Sequence, residues 1–237
     1  MFRKYSCGIL PTFAISILLG SLVACQNPTT STTGSPPVQQ APSISSLVDS
    51  IATSEVSSSG LPGMAVAIGR SGTVVYAQGY GVADLGSRTP VQPRTVFQIG
   101  SITKQFTAAA IMQLQAAGKL NVDDPVAAYL IGYGFSPVIT IRMLLNHTSG
   151  LYDYTKFPAY QSTWQYYGVS QGTVITAIAQ APLDFVPGTF FEYSNSNYFV
   201  LGTIIELVSG LSYPYYISAN LFTPAGLQST YYDLPPT

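Results

Sequence analysis

The residues with the clearest chemical potential are Ser101 and Lys104, three positions apart in Ser101-Ile102-Thr103-Lys104. The sequence predicts a helix over about 101–117, because this stretch is rich in alanine and lacks proline. Residues three apart on a helix share a face, so Lys104 can reach the Ser101 hydroxyl. A serine attacks only when a base removes its proton, and a lysine serves as that base when burial lowers its pKa. The free N–H groups of a helix start also favour negative charge beside the serine.

Taken alone, this pair also fits a serine N-cap followed by a solvated lysine. The single histidine, His147, is the one residue that a Ser-His-Asp triad could use. Asp123 and Asp124 are adjacent and therefore do not face each other, and Asp124 precedes Pro125. We expect Asp124 to be a helix N-cap with Pro125 at the first helical position, and not part of a catalytic carboxylate pair.

The composition excludes several classes of function. Hydrophobic residues make up 47% and charged residues 8% of the 237-residue chain, against about 25% charged in an average soluble protein. Nine basic and ten acidic residues leave a net charge of −1, which argues against a nucleic-acid partner. Both cysteines, Cys7 and Cys25, lie in the first 25 residues. We therefore expect neither a disulfide framework nor a metal site in the body of the protein.

The N-terminus predicts export. Arg3 and Lys4 precede an apolar stretch from about 9 to 24, which is the pattern of a signal peptide. Its end, Leu22-Val23-Ala24-Cys25, resembles a bacterial lipobox, so Cys25 is the predicted lipidation site. An ordinary signal peptide that contains a cysteine is the alternative. The uncharged residues 26–43 are rich in Thr, Pro, Ser and Gln and predict a disordered linker. We expect a protein anchored by lipid to a membrane of the bacterial cell envelope.

The rest of the chain, 44–237, predicts one α+β domain. An amphipathic helix over about 44–51 is followed by a hairpin of residues 64–68 and 73–80 around Arg70-Ser71-Gly72. Residues 152–171 are aromatic and read as irregular. Further helices are expected at about 140–146, 173–181, 196–209 and 213–221, beside the helix that carries Ser101.

Three segments together resemble a known family. They are Phe97-Gln98-Ile99-Gly100-Ser101-Ile102-Thr103-Lys104, Leu144-Leu145-Asn146-His147-Thr148-Ser149-Gly150-Leu151 and Tyr193-Ser194-Asn195-Ser196-Asn197-Tyr198. In this order and at these separations they resemble the serine β-lactamase-like family, which includes class C β-lactamases, D-Ala-D-Ala carboxypeptidases and related esterases. The resemblance covers roughly residues 44–235 and implies a β-lactamase/transpeptidase-like fold.

The resemblance implies a role for each matching position. Ser101 corresponds to the acylated nucleophile, Lys104 to its proton partner and Tyr193 to the general acid/base. Asn195 corresponds to the residue that hydrogen-bonds the lysine and the substrate amide. His147 corresponds to a structural residue at a helix end. The chemistry implied needs no metal and no organic cofactor.

The sequence departs from the family pattern after Asn195. The family has a third motif, K-T-G, K-S-G or H-x-G, on a late strand, and no such triplet follows here. We expect the chain to be truncated before that strand, with an incomplete antiparallel sheet and without one of the two oxyanion N–H donors. A fragment of a longer enzyme is the preferred explanation. A short product that is inactive, or that another chain completes, is the other.

The predicted function is hydrolysis through a serine ester. The expected partner is a small-molecule or peptide substrate with a carboxylic amide or ester: peptidoglycan peptides, β-lactams or simple esters. The alternative is a catalytically inactive, surface-anchored binding lipoprotein of the same fold.

Overall fold

The computed structural model describes residues 43–232. The predicted signal peptide, the lipidation site Cys25 and nearly all of the predicted linker lie outside the described residues. Of the two units into which the chain divides, the second begins at Val48. Of the first unit, only residues 43–47 are described, and they contain the start of helix α1.

The first elements of the chain are a helix and a hairpin. Helix α1 covers Ile44–Ser58 and has one buried residue, Ala52. Strands β1 (Gly63–Arg70) and β2 (Thr73–Gly81) pair antiparallel through the turn at Ser71 and Gly72, with a bulge after Ile68. This agrees with the predicted hairpin, and these two strands form the one sheet found among residues 43–232.

The helical part follows and carries the larger elements. A 3-10 turn at Gly100–Ile102 leads into α2 (Thr103–Ala116), and α6 (Asn195–Ser209) ends at Gly210 in the left-handed conformation. The remaining elements are a 3-10 turn Val126–Ala128, α3 (Ile141–Leu145), a 3-10 turn Tyr154–Lys156, a π turn Tyr160–Trp164, α4 (Gln165–Tyr167), α5 (Gln171–Gln180), α7 (Tyr213–Ile217) and a π turn Ser218–Phe222. The α+β class is thus confirmed.

The hydrophobic core lies among these helices. α6 packs against α2, α3, α5 and α7. Apolar side chains that recur at helical spacing on α6 face this core and are almost completely buried. The core includes Ile111 and Leu114 of α2, Leu144 of α3, Ile175 and Ile178 of α5, and Val200, Leu201, Ile204 and Ile205 of α6.

Two local predictions need correction. Pro125 is not the first helical position: its backbone is extended and bridges Thr140, so the 3-10 turn starts one residue later. Asp124 is not the cap of that turn, since its Oδ2 accepts from the Asn121 N–H and the Tyr129 hydroxyl instead. Residues 152–171, expected to be irregular, contain three short helical turns. Among residues 43–232, no helix combines the length and the hydropathy that crossing a bilayer requires.

Candidate active site

Ser101 lies in the 3-10 turn that immediately precedes α2, and Lys104 is the second residue of that helix. Gly100, the residue before the serine, has a φ of +50°, in the left-handed region that glycine occupies without strain. The Lys104 Nζ lies 3.2 Å from the Ser101 Oγ. The serine hydroxyl and the lysine ammonium therefore share one face of the helix start.

Tyr193 and Asn195 join this pair from the other side of the site. The phenolic oxygen of Tyr193 lies 2.7 Å from the Ser101 Oγ. The Lys104 Nζ donates to the Asn195 Oδ1 at 2.9 Å and lies 4.8 Å from the centroid of the Tyr193 ring. The structure thus brings together the four residues to which the family resemblance assigns catalytic or substrate-binding roles, although 92 positions separate the serine from the tyrosine.

The environment of Tyr193 favours the phenolate. Partial burial by itself raises the pKa of the Tyr193 phenol, because it penalises the charged form. Hydrogen-bonding interactions with Lys104 and Ser101, together with the positive charge of Lys104, outweigh burial and hold that pKa below its ordinary value. A phenol needs a nearby ammonium to become a base near neutral pH, and Lys104 is that ammonium.

His147 packs against Tyr193. Among the hydrogen bonds that the described residues form, none joins His147 to Ser101. It follows α3 with a φ of +61°, and its ring lies 4.6 Å from that of Tyr193, centroid to centroid. Its Nδ1 accepts from the Ser194 N–H at 3.2 Å and from the Asn197 Nδ2 at 3.1 Å. Burial, and next the charge of Lys104, lower the pKa of His147, so the neutral ring is favoured as this acceptor.

The backbone around His147 fixes the segment that carries Tyr193. The Glu192 N–H donates to the His147 carbonyl at 3.1 Å, and the Ser149 hydroxyl donates to the Asn197 Oδ1 at 2.5 Å. Gly150, with a φ of +75°, lies against the Phe185 carbonyl so closely that a Cβ at this position would overlap it. The sequence Leu144–Leu151 is therefore a scaffold for the tyrosine.

Asp153 is the residue that sequence reasoning missed. It is 6% exposed, and its Oδ2 accepts from the backbone N–H of Asn195 at 3.2 Å and from the side-chain Nδ2 at 3.0 Å. The position of Asp153, just after the Leu144–Leu151 segment, was only a weak indication of this role, because an aspartate in a loop ordinarily caps a neighbouring turn. It does cap the next turn, by accepting from the Thr155 N–H.

A cleft of about 270 Å³ opens beside Lys104 and Asn195. The aromatic segment 152–171 contributes to it in part: Tyr154 lines the cleft, whereas Phe157 and Trp164 contact each other edge to face. Its wall also contains Thr103, Thr107, Gln171, Tyr198, Phe199, Gly202, Thr203, Glu206, Tyr213, Pro214 and Tyr232.

Asp123 and Asp124, which are adjacent in the sequence, bind different partners and do not act as a pair. Asp123 forms a two-contact ion pair with Arg142, at 2.6 and 2.9 Å, while Asp124 binds Tyr129. Within the part of the chain that the structure describes, no three His, Cys, Asp or Glu residues come together in a group that could hold a metal ion.

Comparison with known proteins places this chain in a family. The family model described as Beta-lactamase matches residues 48–237. Penicillin-binding protein 4* of Bacillus subtilis (strain 168) is 34% identical over 162 residues, which are 67% of this chain and 35% of that protein. The chain thus spans about a third of the length of this curated relative.

Solved structures show the same fold. The octameric penicillin-binding protein homologue from Pyrococcus abyssi matches with a TM-score of 0.70 and 34% identity, over 78% of this chain and 44% of that one. A D-stereospecific amidohydrolase from Streptomyces sp. matches with a TM-score of 0.62 and 32% identity, over 77% and 55% of the two chains. The fold is therefore β-lactamase/transpeptidase-like, and the chain belongs to the Beta-lactamase family of serine β-lactamase-like proteins.

Proposed function

We propose that this protein is a serine hydrolase that acts on carboxylic amides or esters through an acyl-enzyme at Ser101. One observation carries the proposal: the Ser101 Oγ lies 2.7 Å from the Tyr193 hydroxyl and 3.2 Å from the Lys104 Nζ. A serine needs an adjacent base before it can attack a carbonyl carbon. Here two groups that can exchange protons lie within hydrogen-bond reach of it.

The acylation step follows from this geometry. The Ser101 hydroxyl gives its proton to the Tyr193 phenolate as the Oγ bonds to the substrate carbonyl carbon, and the carbonyl π pair moves to its oxygen. The tetrahedral intermediate then collapses: the bond to the leaving amine or alkoxide breaks, and that group takes the proton from Tyr193. In deacylation a water molecule gives a proton to the Tyr193 phenolate as its oxygen bonds to the ester carbonyl carbon. The tetrahedral intermediate then collapses: the bond from that carbon to the Ser101 Oγ breaks, the Oγ takes the proton from Tyr193, and the acid leaves. Lys104 stabilises the phenolate at the start and end of each step.

Asn195 serves substrate binding in this proposal. The Asn195 amide already holds Lys104 through its Oδ1 and lines the cleft of about 270 Å³. Ser101 and Tyr193 are absent from the lining of that cleft, so the proposal places the substrate amide beside Asn195, with its carbonyl carbon at the serine, and assigns the cleft no part in the reaction. Positioning of this kind supplies much of an enzyme's rate enhancement, because it replaces an encounter in solution by a bound geometry.

The substrates proposed are peptidoglycan peptides, β-lactams and simple esters. Relatives support amide chemistry: the names of two of them include a penicillin-binding protein and a D-stereospecific amidohydrolase. To separate the classes, the full chain is incubated with a fluorescent penicillin, a D-alanyl-D-alanine peptide and a short p-nitrophenyl ester, in parallel with Ser101→Ala. Turnover or covalent label that requires Ser101 supports the proposal and identifies the class.

The alternative of an inactive binding lipoprotein predicts another result. In that case none of the three probes acylates Ser101 or is hydrolysed, while the protein still melts cooperatively. Equal turnover by the wild type and by Ser101→Ala contradicts the proposed mechanism, since the hydroxyl is the nucleophile in every step.

We also propose that Cys25 is lipidated and anchors the protein to a membrane of the bacterial cell envelope. The basic residues Arg3 and Lys4, the apolar stretch and the Leu22–Cys25 tetrapeptide support this proposal, and so does the uncharged segment that follows. Metabolic labelling with a fatty acid tests it in cells that express the full chain. Label is expected in the wild type and absent from Cys25→Ser; label that survives this substitution contradicts it.

A further inference from the structure

We propose that Asp153 is a positioning residue that sets the orientation of the Asn195 amide and, through it, the place of Lys104. This inference rests on the proposed function for its consequence in catalysis. The orientation itself is a property of the folded chain and can be measured without any activity.

The hydrogen bonds around Asp153 require a carboxylate. Its Oδ1 accepts from the Thr155 N–H and the Thr155 Oγ1, both at 2.9 Å. Its Oδ2 accepts from two groups of Asn195, the backbone N–H and the Nδ2. Donors thus approach both oxygens, and an asparagine at this position would keep only one oxygen to accept them.

Among the described residues, Asp153 is buried and takes part in no ion pair. It is 6% exposed, and neither of the two ion pairs among residues 43–232, Arg142–Asp123 and Lys156–Glu192, includes it. A buried charge is costly unless hydrogen bonds compensate it. The four donors from Thr155 and Asn195 provide that compensation, and two of the four belong to Asn195.

For Asn195, the consequence concerns which end of its side-chain amide, the oxygen or the nitrogen, faces Lys104. The oxygen and nitrogen of an asparagine side chain have nearly the same shape, and only the neighbours decide which way the amide turns. Because Asp153 accepts from the Nδ2, the Oδ1 faces the Lys104 Nζ at 2.9 Å. With the amide turned over, the Nδ2 would face the lysine, donor against donor, and the ammonium would lose this acceptor.

Asp153 also fixes the start of helix α6. The Ser194 side chain forms no capping hydrogen bond at this helix start, and the first N–H of the helix, that of Asn195, goes to Asp153. Beside it, the Ser196 hydroxyl donates to the Tyr152 carbonyl at 2.6 Å and accepts from the Tyr154 N–H at 2.8 Å. Residues 152–154 are thereby tied to the first turn of α6, which leaves Asp153 little freedom to move away from Asn195.

The charge of Asp153 also acts on Tyr193. The titratable groups around that phenol are Lys104 on α2, His147 after α3, Tyr198 on α6 and Asp153 itself. Lys104 lowers the pKa of Tyr193, and Asp153 opposes it. Removing the Asp153 charge alone would lower the Tyr193 pKa further, whereas displacing Lys104 would raise it by the larger of the two effects.

The first test is structural and is carried out on the full chain. In the wild type, the side-chain amide protons of Asn195 should exchange slowly with solvent in an NMR measurement, because Asp153 accepts from the Nδ2. In Asp153→Ala, which removes both accepting oxygens, this protection should be lost. Thr155→Val is the control: it removes one donor on the opposite oxygen, and the protection of the Asn195 amide should remain. Equal protection in the wild type and in Asp153→Ala overturns the inference.

The second test is the rate at which a fluorophosphonate acylates Ser101 as a function of pH. In Asp153→Ala we expect a loss of about a hundredfold, the size that a misplaced catalytic group typically causes, while Thr155→Val should lose far less, because the Thr155 N–H still donates to the same oxygen. The acidic limb of the profile should also move to higher pH, because a displaced Lys104 no longer lowers the Tyr193 pKa and its influence exceeds that of the Asp153 charge.

A purely structural role for Asp153, which leaves Lys104 in place, predicts a lower rate with an acidic limb that stays or moves to lower pH, and that result overturns the inference while leaving the proposed function intact. No labelling of Ser101 even in the wild type contradicts the proposed function instead, and the exchange measurement then decides the inference.

Discussion

The helical part and the β-hairpin of this protein differ sharply in how they are stabilised. Ile111, Leu144 and Ile204 are fully buried among the helices, whereas Val74 of β2 is 66% exposed. Within the described residues, neither strand contains a buried side chain. Every member of the Ser101, Lys104, Tyr193 and Asn195 constellation lies on or beside a helix of the packed part. This comparison indicates that the geometry of the site depends on helix packing, above all on the packing of α2 against α6.

The largest expected effect comes from one oxygen atom in the helical part. Tyr193→Phe keeps the ring that lies against His147 and removes the hydroxyl 2.7 Å from the Ser101 Oγ. We expect the rate of Ser101 acylation to fall about 10²- to 10⁴-fold, as the loss of a general base does. Stopped-flow or quenched labelling measures the rate, and Tyr198→Phe, which removes the hydroxyl that donates to the Leu145 carbonyl, is a control. A Tyr193→Phe rate equal to that of the wild type would refute the assigned base.

The next effect is on stability. Ile204→Ala creates a cavity in the hydrophobic core against which α6 packs, and urea denaturation should show a loss of about 2–5 kcal/mol in the free energy of unfolding. Leu207 lies on the same helix and is 56% exposed, so Leu207→Ala is the matched control and should cost far less. Equal costs for the two substitutions would mean that the helical part is not packed as described.

A pH-dependent effect at His147 is expected to be smaller. Because its folded-state pKa lies below the ordinary value of 6.5, the unfolded chain binds a proton first as the pH falls. Stability should therefore decrease as the pH drops below about 6.5 towards the folded-state pKa, and recover as it rises. His147→Gln keeps an acceptor for the Ser194 N–H and should lose this decrease. Denaturation midpoints measured from neutral to mildly acidic pH compare the two, and parallel curves would contradict the assignment.

The smallest effect is expected in the hairpin. Val74→Thr changes an exposed side chain to one of the same branching, and we expect the free energy of unfolding to change by no more than about 0.5 kcal/mol. The acylation rate of Ser101 should stay the same. Thermal denaturation checks the first expectation. A large loss of stability would show that the exposed strand contributes more than its burial indicates, and the contrast between the two regions would then fail.

The sequence predicted the features that depend on the spacing of residues close together in the chain. The three-residue step from Ser101 to Lys104 indicates a shared helix face, and the turn at Arg70-Ser71-Gly72 indicates a hairpin. Spacing could not bring Tyr193 to Ser101, because the packing of α2 against α6 does that across 92 positions. That pairing came from the family resemblance.

Asp153 shows why the rest stayed hidden. Its local partners, the Thr155 N–H and hydroxyl, are what a loop aspartate ordinarily binds. Its distant partner, Asn195, comes within reach only after the Ser196 side chain ties residues 152–154 to the start of α6. Pro125 shows a similar limit: the bridge to Thr140 holds its backbone extended, against the helical position that its sequence context favours.

The most direct test of the account is to locate the covalent adduct after treatment of the full chain with a fluorophosphonate. The account predicts one added phosphonyl group on Ser101, found by peptide mapping in the wild type and absent from Ser101→Ala. An adduct on a different residue, or none on a folded wild-type protein, would contradict the claim that packed helices present a reactive serine between Lys104 and Tyr193.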